Sequence, residues 1–360
     1  MAESSVRVHT LDNIYLDSGY VDIEGILYTL YEMGIFFVFI IGGRGTGKTY
    51  GALKTVLENN IKFILMRRTQ TQCDMVSNER FSPFKPLNND LGTLVVPFSI
   101  SKNNAALYNA EIDDKGKLKP VGEPIGYTAA LSTISNLRGF DASDVEVLIY
   151  DEFIPERHEK PIRGEAEAYL NAYETMNRNR ELKGEKPIMF LALSNSNDIG
   201  NPIFMTLNMV GVCEKMKRKG QEVYIDKRRG YCIIDLDSSP ISLKKSETAL
   251  YRLAGKNSGF AQMALKNQYK NMEDISIQGQ NIIEYKPIVK VGEIVIYKHK
   301  SKKLFYVTDH ESGTVPEFQA DDIDLKRFNR EFFYLWEQYM YNNILFKNKM
   351  CQLLFEAYFK

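Results

Sequence analysis

The chain carries no excess of charge: 46 Lys and Arg residues balance 46 Asp and Glu. No global positive field therefore draws it to nucleic acid, and such a partner would have to be held by local basic patches. Cysteine and histidine are scarce and scattered. Cys73, Cys213, Cys232 and Cys351 form no short pairs, and His9, His158, His299 and His310 do not cluster with them. A zinc site built from closely spaced ligands is excluded on that pattern, which leaves reduced structural thiols. Long apolar runs are missing too. The most apolar stretch, Ile35–Ile41, is far shorter than the ~20 residues of a spanning helix, so no membrane partner is expected. The opening MAESSVRVHT lacks a basic region followed by an apolar core, so no signal peptide is expected and the protein reads as soluble and intracellular. No internal repeat or low-complexity tract is apparent.

What remains is ordinary globular material. Over 360 residues, 44% are hydrophobic and 26% charged, enough for one large domain and a smaller one. Ile35–Ile41 (IFFVFII) reads as a central parallel strand buried on both faces, since it is continuously apolar and ends at glycines. Tyr50–Asn60 suits a helix and Lys62–Met66 a second buried strand, which makes a βαβ unit. Leu94–Ile100, Leu107–Ile112 and Gly126–Leu131 read as an antiparallel insertion, with a turn at Asp113-Asp114-Lys115-Gly116. Parallel character resumes at Val145–Tyr150 and Ile188–Leu193, with a helix over Glu165–Arg180 between them. The charged stretch Cys213–Arg229 suits a linker or an exposed helix pair, and Tyr251–Tyr269 a helix. Three short β-like runs follow between 288 and 308. The last segment places Leu325, Phe328, Phe332, Leu335 and Tyr339 on one helical stripe, which is a core pattern. The boundaries drawn are 1–202 for the large α/β domain, 203–278 for a linker or lid, and 279–360 for a smaller α+β domain.

One motif carries specific chemistry. Gly42-Gly43-Arg44-Gly45-Thr46-Gly47-Lys48-Thr49 satisfies G-x-x-x-x-G-K-[ST] in full, between a buried strand and a helix. The glycines let backbone N–H groups and the helix N-terminus close on phosphates. Lys48 is placed for the β- and γ-phosphates of ATP, and the Thr49 hydroxyl for Mg²⁺. Val145–Tyr150 delivers Asp151 at a strand end, the Walker B position for holding the metal. The adjacent Glu152 suits activation of water, which favours a hydrolase over a kinase. Asn195, in Leu193-Ser194-Asn195-Ser196-Asn197, stands where a γ-phosphate sensor sits. If the helix runs to Arg180, Arg178 points away from the Tyr169, Tyr173 and Met176 face, toward a neighbouring subunit. Arg138, Arg67 and Arg68 are further phosphate or DNA candidates.

Taken together, Ile41–Tyr50, Met66-Arg67-Arg68, Tyr150-Asp151-Glu152-Phe153-Ile154, Arg178-Asn179-Arg180-Glu181, Leu193-Ser194-Asn195 and Asn201-Pro202 resemble the DNA-packaging ATPases of phi-29-like podoviruses, relatives of terminase large subunits. The resemblance implies a P-loop ASCE-type ATPase domain with a mainly parallel sheet, followed by a smaller α+β RNase H-like, vestigial nuclease domain. It implies a homopentameric ring at the portal vertex in the host cytoplasm, working with a packaging RNA to drive double-stranded DNA into a prohead. Carried across, Lys48 and Thr49 bind phosphate and Mg²⁺, Asp151 binds the metal, Glu152 activates water, and Arg178 is a trans-acting arginine finger. In Ile288-Val289-Lys290-Val291, a lysine stands where a first-strand nuclease Asp would be expected, so nuclease activity is not expected. Lys215–Lys219, Lys227–Arg229 and Lys298–Lys303 are candidate DNA or RNA backbone contacts. A helicase- or loader-type switch ATPase and a nucleotide kinase are the competing readings.

Overall fold

The structure, a computed structural model, describes residues 11–100, 104–137, 143–155, 159, 162, 164–196, 198–236, 239–245, 247–254 and 276–359. The chain divides into two compact units, Met1–Ile203 with Gly220–Lys270, and Phe204–Lys219 with Asn271–Lys360.

The first unit opens with α1 (Ile23–Glu32), capped by the Asp22 carboxylate accepting from the Gly25 N–H at 3.0 Å. Then come β1 (Phe37–Ile41), α2 (Lys48–Glu58), β2 (Phe63–Arg67), α3 (Gln70–Val76) and α4 (Phe84–Leu91). Thr69 and Gln72 close a reciprocal capping box at the start of α3. β3 (Val95–Ser99), β4 (Ala105–Ile112) and β5 (Leu118–Ala130) precede β6 (Val147–Asp151), α5 (Glu165–Asn177) and β7 (Met189–Ser194). After α6 (Pro202–Thr206) and α7 (Val210–Lys219), β8 (Val223–Asp226), β9 (Tyr231–Asp235), α8 (Pro240–Lys245) and α9 (Ala249–Ala254) return to this unit.

The nine strands form one sheet in the order β3-β4-β5-β2-β6-β7-β1-β9-β8. From β5 to β9 every neighbouring pair is parallel. β6, β7 and β9 are buried throughout, which is why their sequences are continuously apolar rather than alternating. β7 lies between the strand that enters the glycine-rich loop and the strand that delivers Asp151, as the ASCE-type expectation requires.

Two expectations need correction. The antiparallel insertion does not stand apart. The far half of β5, Gly126–Ala130, pairs parallel with β2 and extends the main sheet. Residues 203–278 are not simply a linker either. β9 pairs parallel with β1 along its whole length, and β8 pairs antiparallel with β9, while α7 belongs to the second unit. The apolar run Tyr231–Ile234 is only four residues long and follows Lys227–Arg229, so local charge masked a core strand. Most of Tyr251–Tyr269 lies outside the described residues.

The second unit holds β10 (Tyr285–Val291), β11 (Ile294–His299), β12 (Phe305–Thr308), β13 (Glu317–Phe318), α10 (Asp322–Met340), β14 (Ile344–Phe346) and α11 (Lys349–Tyr358). Its sheet runs β13-β10-β11-β12-β14, an antiparallel meander with strands added in parallel at both edges. Phe328 and Leu335 of α10 are fully buried, and Leu325, Phe332, Trp336 and Tyr339 pack on the same cluster. The aromatic stripe is core.

Candidate active site

The glycine-rich loop joins β1 to α2. Gly47 caps the helix at φ +93°, a left-handed conformation that strains any residue with a side chain. A Cβ there would also meet the Tyr20 ring at 3.1 Å. Lys48 is the first residue of α2 and is buried. Its ammonium donates to the carbonyls of Gly42 at 2.8 Å and Gly43 at 2.9 Å, and to the Thr46 hydroxyl at 3.1 Å. Thr46 in turn donates to the Gly43 carbonyl. Burial pulls the Lys48 pKa down to about 7, against the opposing pull of Asp151.

The carboxylates arrive from β6, two strands away in the sheet. The Thr49 hydroxyl donates to Asp151 Oδ1 at 2.9 Å, so the loop and the strand end meet at one point. Asp151 Oδ2 accepts from the Arg67 guanidinium, which also reaches Glu152 at 3.3 Å. Asn195, at the end of β7, donates to the other Glu152 oxygen at 3.4 Å. Glu152 itself adopts φ +58°, a left-handed backbone that costs a non-glycine residue roughly 1–3 kcal/mol and turns its carboxylate off the strand direction. Lys48, Thr49, Asp151, Glu152 and Asn195 thus share the C-terminal edge of the parallel sheet, where open α/β sheets bind ligands.

The other arginines separate. Arg67, at the end of β2, is adjacent to β6 and clamps both carboxylates instead of reaching outward. Arg68 is fully buried, pairs with Glu165 through two nitrogens, and lies 3.8 Å from Glu159. It therefore holds α5 to the sheet and is not a DNA contact. Arg138 lies outside the described residues. Arg178 is not on the helix at all, because α5 ends at Asn177, so no helical face aims it outward. Arg178 and Asn179 are successive left-handed residues, at φ +46° and +58°. Their turn is pinned to the opposite edge of the sheet. Asn177 accepts from the Ile188 N–H at 2.9 Å, and Arg180 donates to the Ser143 carbonyl at 2.7 Å, both just ahead of strands β7 and β6. The strands running from that edge to the site's edge, β6 and β7, are five and six residues long, about 17–20 Å.

Comparison with known proteins bears on this edge. Residues 28–291 match the family described as podovirus DNA encapsidation protein (Gp16). This chain belongs to that family. It is 26% identical over 298 residues to the DNA packaging protein of Bacillus phage B103, covering 79% of this chain and 82% of that one. With the DNA packaging protein of Bacillus phage phi29 it is 28% identical over 246 residues, covering 67% and 64%. Its fold is similar to a chain of the bacteriophage Phi-29 viral genome packaging motor assembly, at TM-score 0.63, 19% identity and 96% and 99% coverage. The Phi-28 gp11 DNA packaging motor gives TM-score 0.61 at 20% identity, covering 92% and 96%. As a podovirus encapsidation protein with a complete P-loop, the chain is a viral DNA-packaging ATPase.

The encapsidation protein's site fits its nucleotide. A buried ammonium and a glycine-lined helix N-terminus suit phosphates, and the oxygens of Thr49 and Asp151 are the hard donors Mg²⁺ takes. Arg67 was legible only as a basic residue after a strand. Its pairing with Asp151 and Glu152 depends on β2 and β6 being neighbours, which no local pattern announces. The basic clusters are exposed on their own units: Lys215, Arg218 and Lys219 on α7, Lys227–Arg229 in the β8–β9 turn, and Lys298 with Lys300–Lys303 around the β11–β12 turn. No helix among the described residues is long and apolar enough to cross a membrane.

Proposed function

We propose that this chain hydrolyses Mg·ATP at the Lys48–Asp151–Glu152 edge and uses the energy to translocate double-stranded DNA into a prohead. The observation that carries the reading is the 2.9 Å contact between Thr49 of the loop and Asp151 of the Walker B strand, which brings phosphate and metal donors to one place. Lys48 neutralises the β- and γ-phosphates. Thr49 and Asp151 would hold Mg²⁺, which when bound would supply Lewis-acid polarisation of the terminal phosphates. Glu152 takes the proton from the attacking water, and Asn195 orients its carboxylate. Arg67 donates to both carboxylates and holds them at the sheet edge.

Arg178 acts on a neighbouring chain's nucleotide. Its place at the far edge of its own sheet supports this, because it cannot reach its own Lys48. A homo-oligomeric ring follows, and by likeness to the family a pentamer on the portal with packaging RNA, in the host cytoplasm. The second unit does not cut DNA. Lys290 on β10 lies 2.9 Å from Glu311 and 3.1 Å from Glu317, so its ammonium takes the place of a metal between acidic groups. The exposed clusters at Lys215–Lys219, Lys227–Arg229 and Lys298–Lys303 contact nucleic-acid backbone.

ATPase rate with and without duplex DNA tests the reading. A translocase shows several-fold stimulation that falls steeply as salt rises, since backbone contacts dominate. A kinase shows no stimulation, and a loader-type switch responds only when a protein partner is added.

A further inference from the structure

A second lysine stands over the phosphate loop. Beyond β9 the chain crosses the same sheet edge, with the Leu236 N–H donating to the Ile41 carbonyl at 2.8 Å. It then folds into α8, whose last residue is Lys245. The Lys245 ammonium donates to the Arg44 carbonyl, at the third position of the loop. A Cβ added at Gly45 would lie 2.6 Å from the same nitrogen, so the cation rests directly on the loop. The Lys244 ammonium donates to the Ser18 carbonyl at 3.3 Å, tying α8 to the N-terminal segment. Tyr251 of α9 lies 5.9 Å from Lys245. Among the described residues no carboxylate pairs with Lys245, and the Arg44 guanidinium, of like sign, acts against its charge.

Lys48 and Lys245 therefore face one loop as two cations. A lone carbonyl is a weak partner for a half-buried ammonium, and a polyphosphate a strong one. The four-carbon stem lets a lysine swing between the two.

We infer that Lys245 is a second phosphate-binding cation, supplied in cis by α8, which leaves the Arg44 carbonyl for the terminal phosphates of ATP. The inference rests on the reading of Gly42–Thr49 as the nucleotide cradle. It gives the enzyme a contact that distinguishes ATP from shorter nucleotides. It also ties α8, in the stretch of sequence that precedes most of the second unit, to the nucleotide's state.

The test is fluorescence titration of the full chain with mant-labelled ATP, ADP and AMP in the presence of Mg²⁺. Wild type, Lys245→Ala, Lys245→Gln, Lys245→Arg and Lys48→Ala are compared, with melting temperatures taken without nucleotide. Lys245→Ala and Lys245→Gln are expected to weaken ATP about tenfold, ADP less, and AMP not at all, with unchanged melting. Lys245→Arg should keep most of the ATP affinity. Gln retains a donor for the Arg44 carbonyl but no charge. An unchanged ATP-to-ADP ratio in both the Ala and Gln variants would mean that Lys245 only caps the loop, and the inference is overturned. If Lys48→Ala loses ATP while the Lys245 variants do not, the inference fails alone. If neither lysine matters, the cradle reading fails and takes the inference with it.

Discussion

Glu152→Gln should abolish ATP turnover, by about 10²–10⁴-fold, while ATP binding stays within a few-fold of the wild type. The asymmetry follows from where Glu152 sits. On the proposed reading Lys48 and the loop would bind the phosphates and Thr49 and Asp151 the metal, so binding energy would come from groups this substitution leaves intact. Glu152 is held instead by Arg67 and Asn195, beside the metal position, on a left-handed backbone that glutamate does not adopt without cost. Gln keeps the size and one acceptor oxygen for Arg67 or Asn195, but it cannot accept a proton. Binding and single-turnover hydrolysis, measured on one preparation, separate the two steps. Tight binding with full turnover would remove Glu152 from its role.

Arg178→Ala is expected to be nearly as inactive, with a loss of about 10³-fold or more, the scale of a missing arginine finger. The turn at Arg178 is fastened to the start of β7, and the chemistry lies at the other end of that strand. On the proposed reading a single chain cannot complete its own site. Mixing Arg178→Ala with Glu152→Ala chains should restore turnover, because some interfaces then pair an intact Glu152 with an intact Arg178. Mixtures no more active than their components would place Arg178 outside the reaction. The two left-handed residues at this turn stay strained only because surrounding bonds hold them, which suits a residue positioned for use beyond its own chain.

The parallel strands and both nucleotide motifs were legible because each is local. A buried strand running into glycines, or ending in Asp151-Glu152, announces itself within ten residues. What stayed hidden depends on which strands are neighbours. Arg67 meets the carboxylates because β2 abuts β6, and Lys245 meets the loop because β9 returns to pair with β1. β9 itself was hidden by the Lys227–Arg229 turn, whose charge outweighed four apolar residues. The reading that aimed Arg178 outward rests on a helix reaching Arg180, and that helix stops at Asn177. Arg68 looked like its neighbour Arg67 in sequence. One faces the carboxylates at the sheet edge, and the other is sealed against Glu165.

The account depends on the loop at 42–49 and the carboxylates ending β6 serving one triphosphate. A crystal structure of the full chain with Mg²⁺ and a non-hydrolysable ATP analogue measures this directly. It should show the Lys48 ammonium on the β- and γ-phosphate oxygens, the Thr49 hydroxyl on the metal, and Asp151 bound to that same metal directly or through one water. A nucleotide seated elsewhere, or a metal remote from Asp151 while phosphates fill the loop, would contradict it.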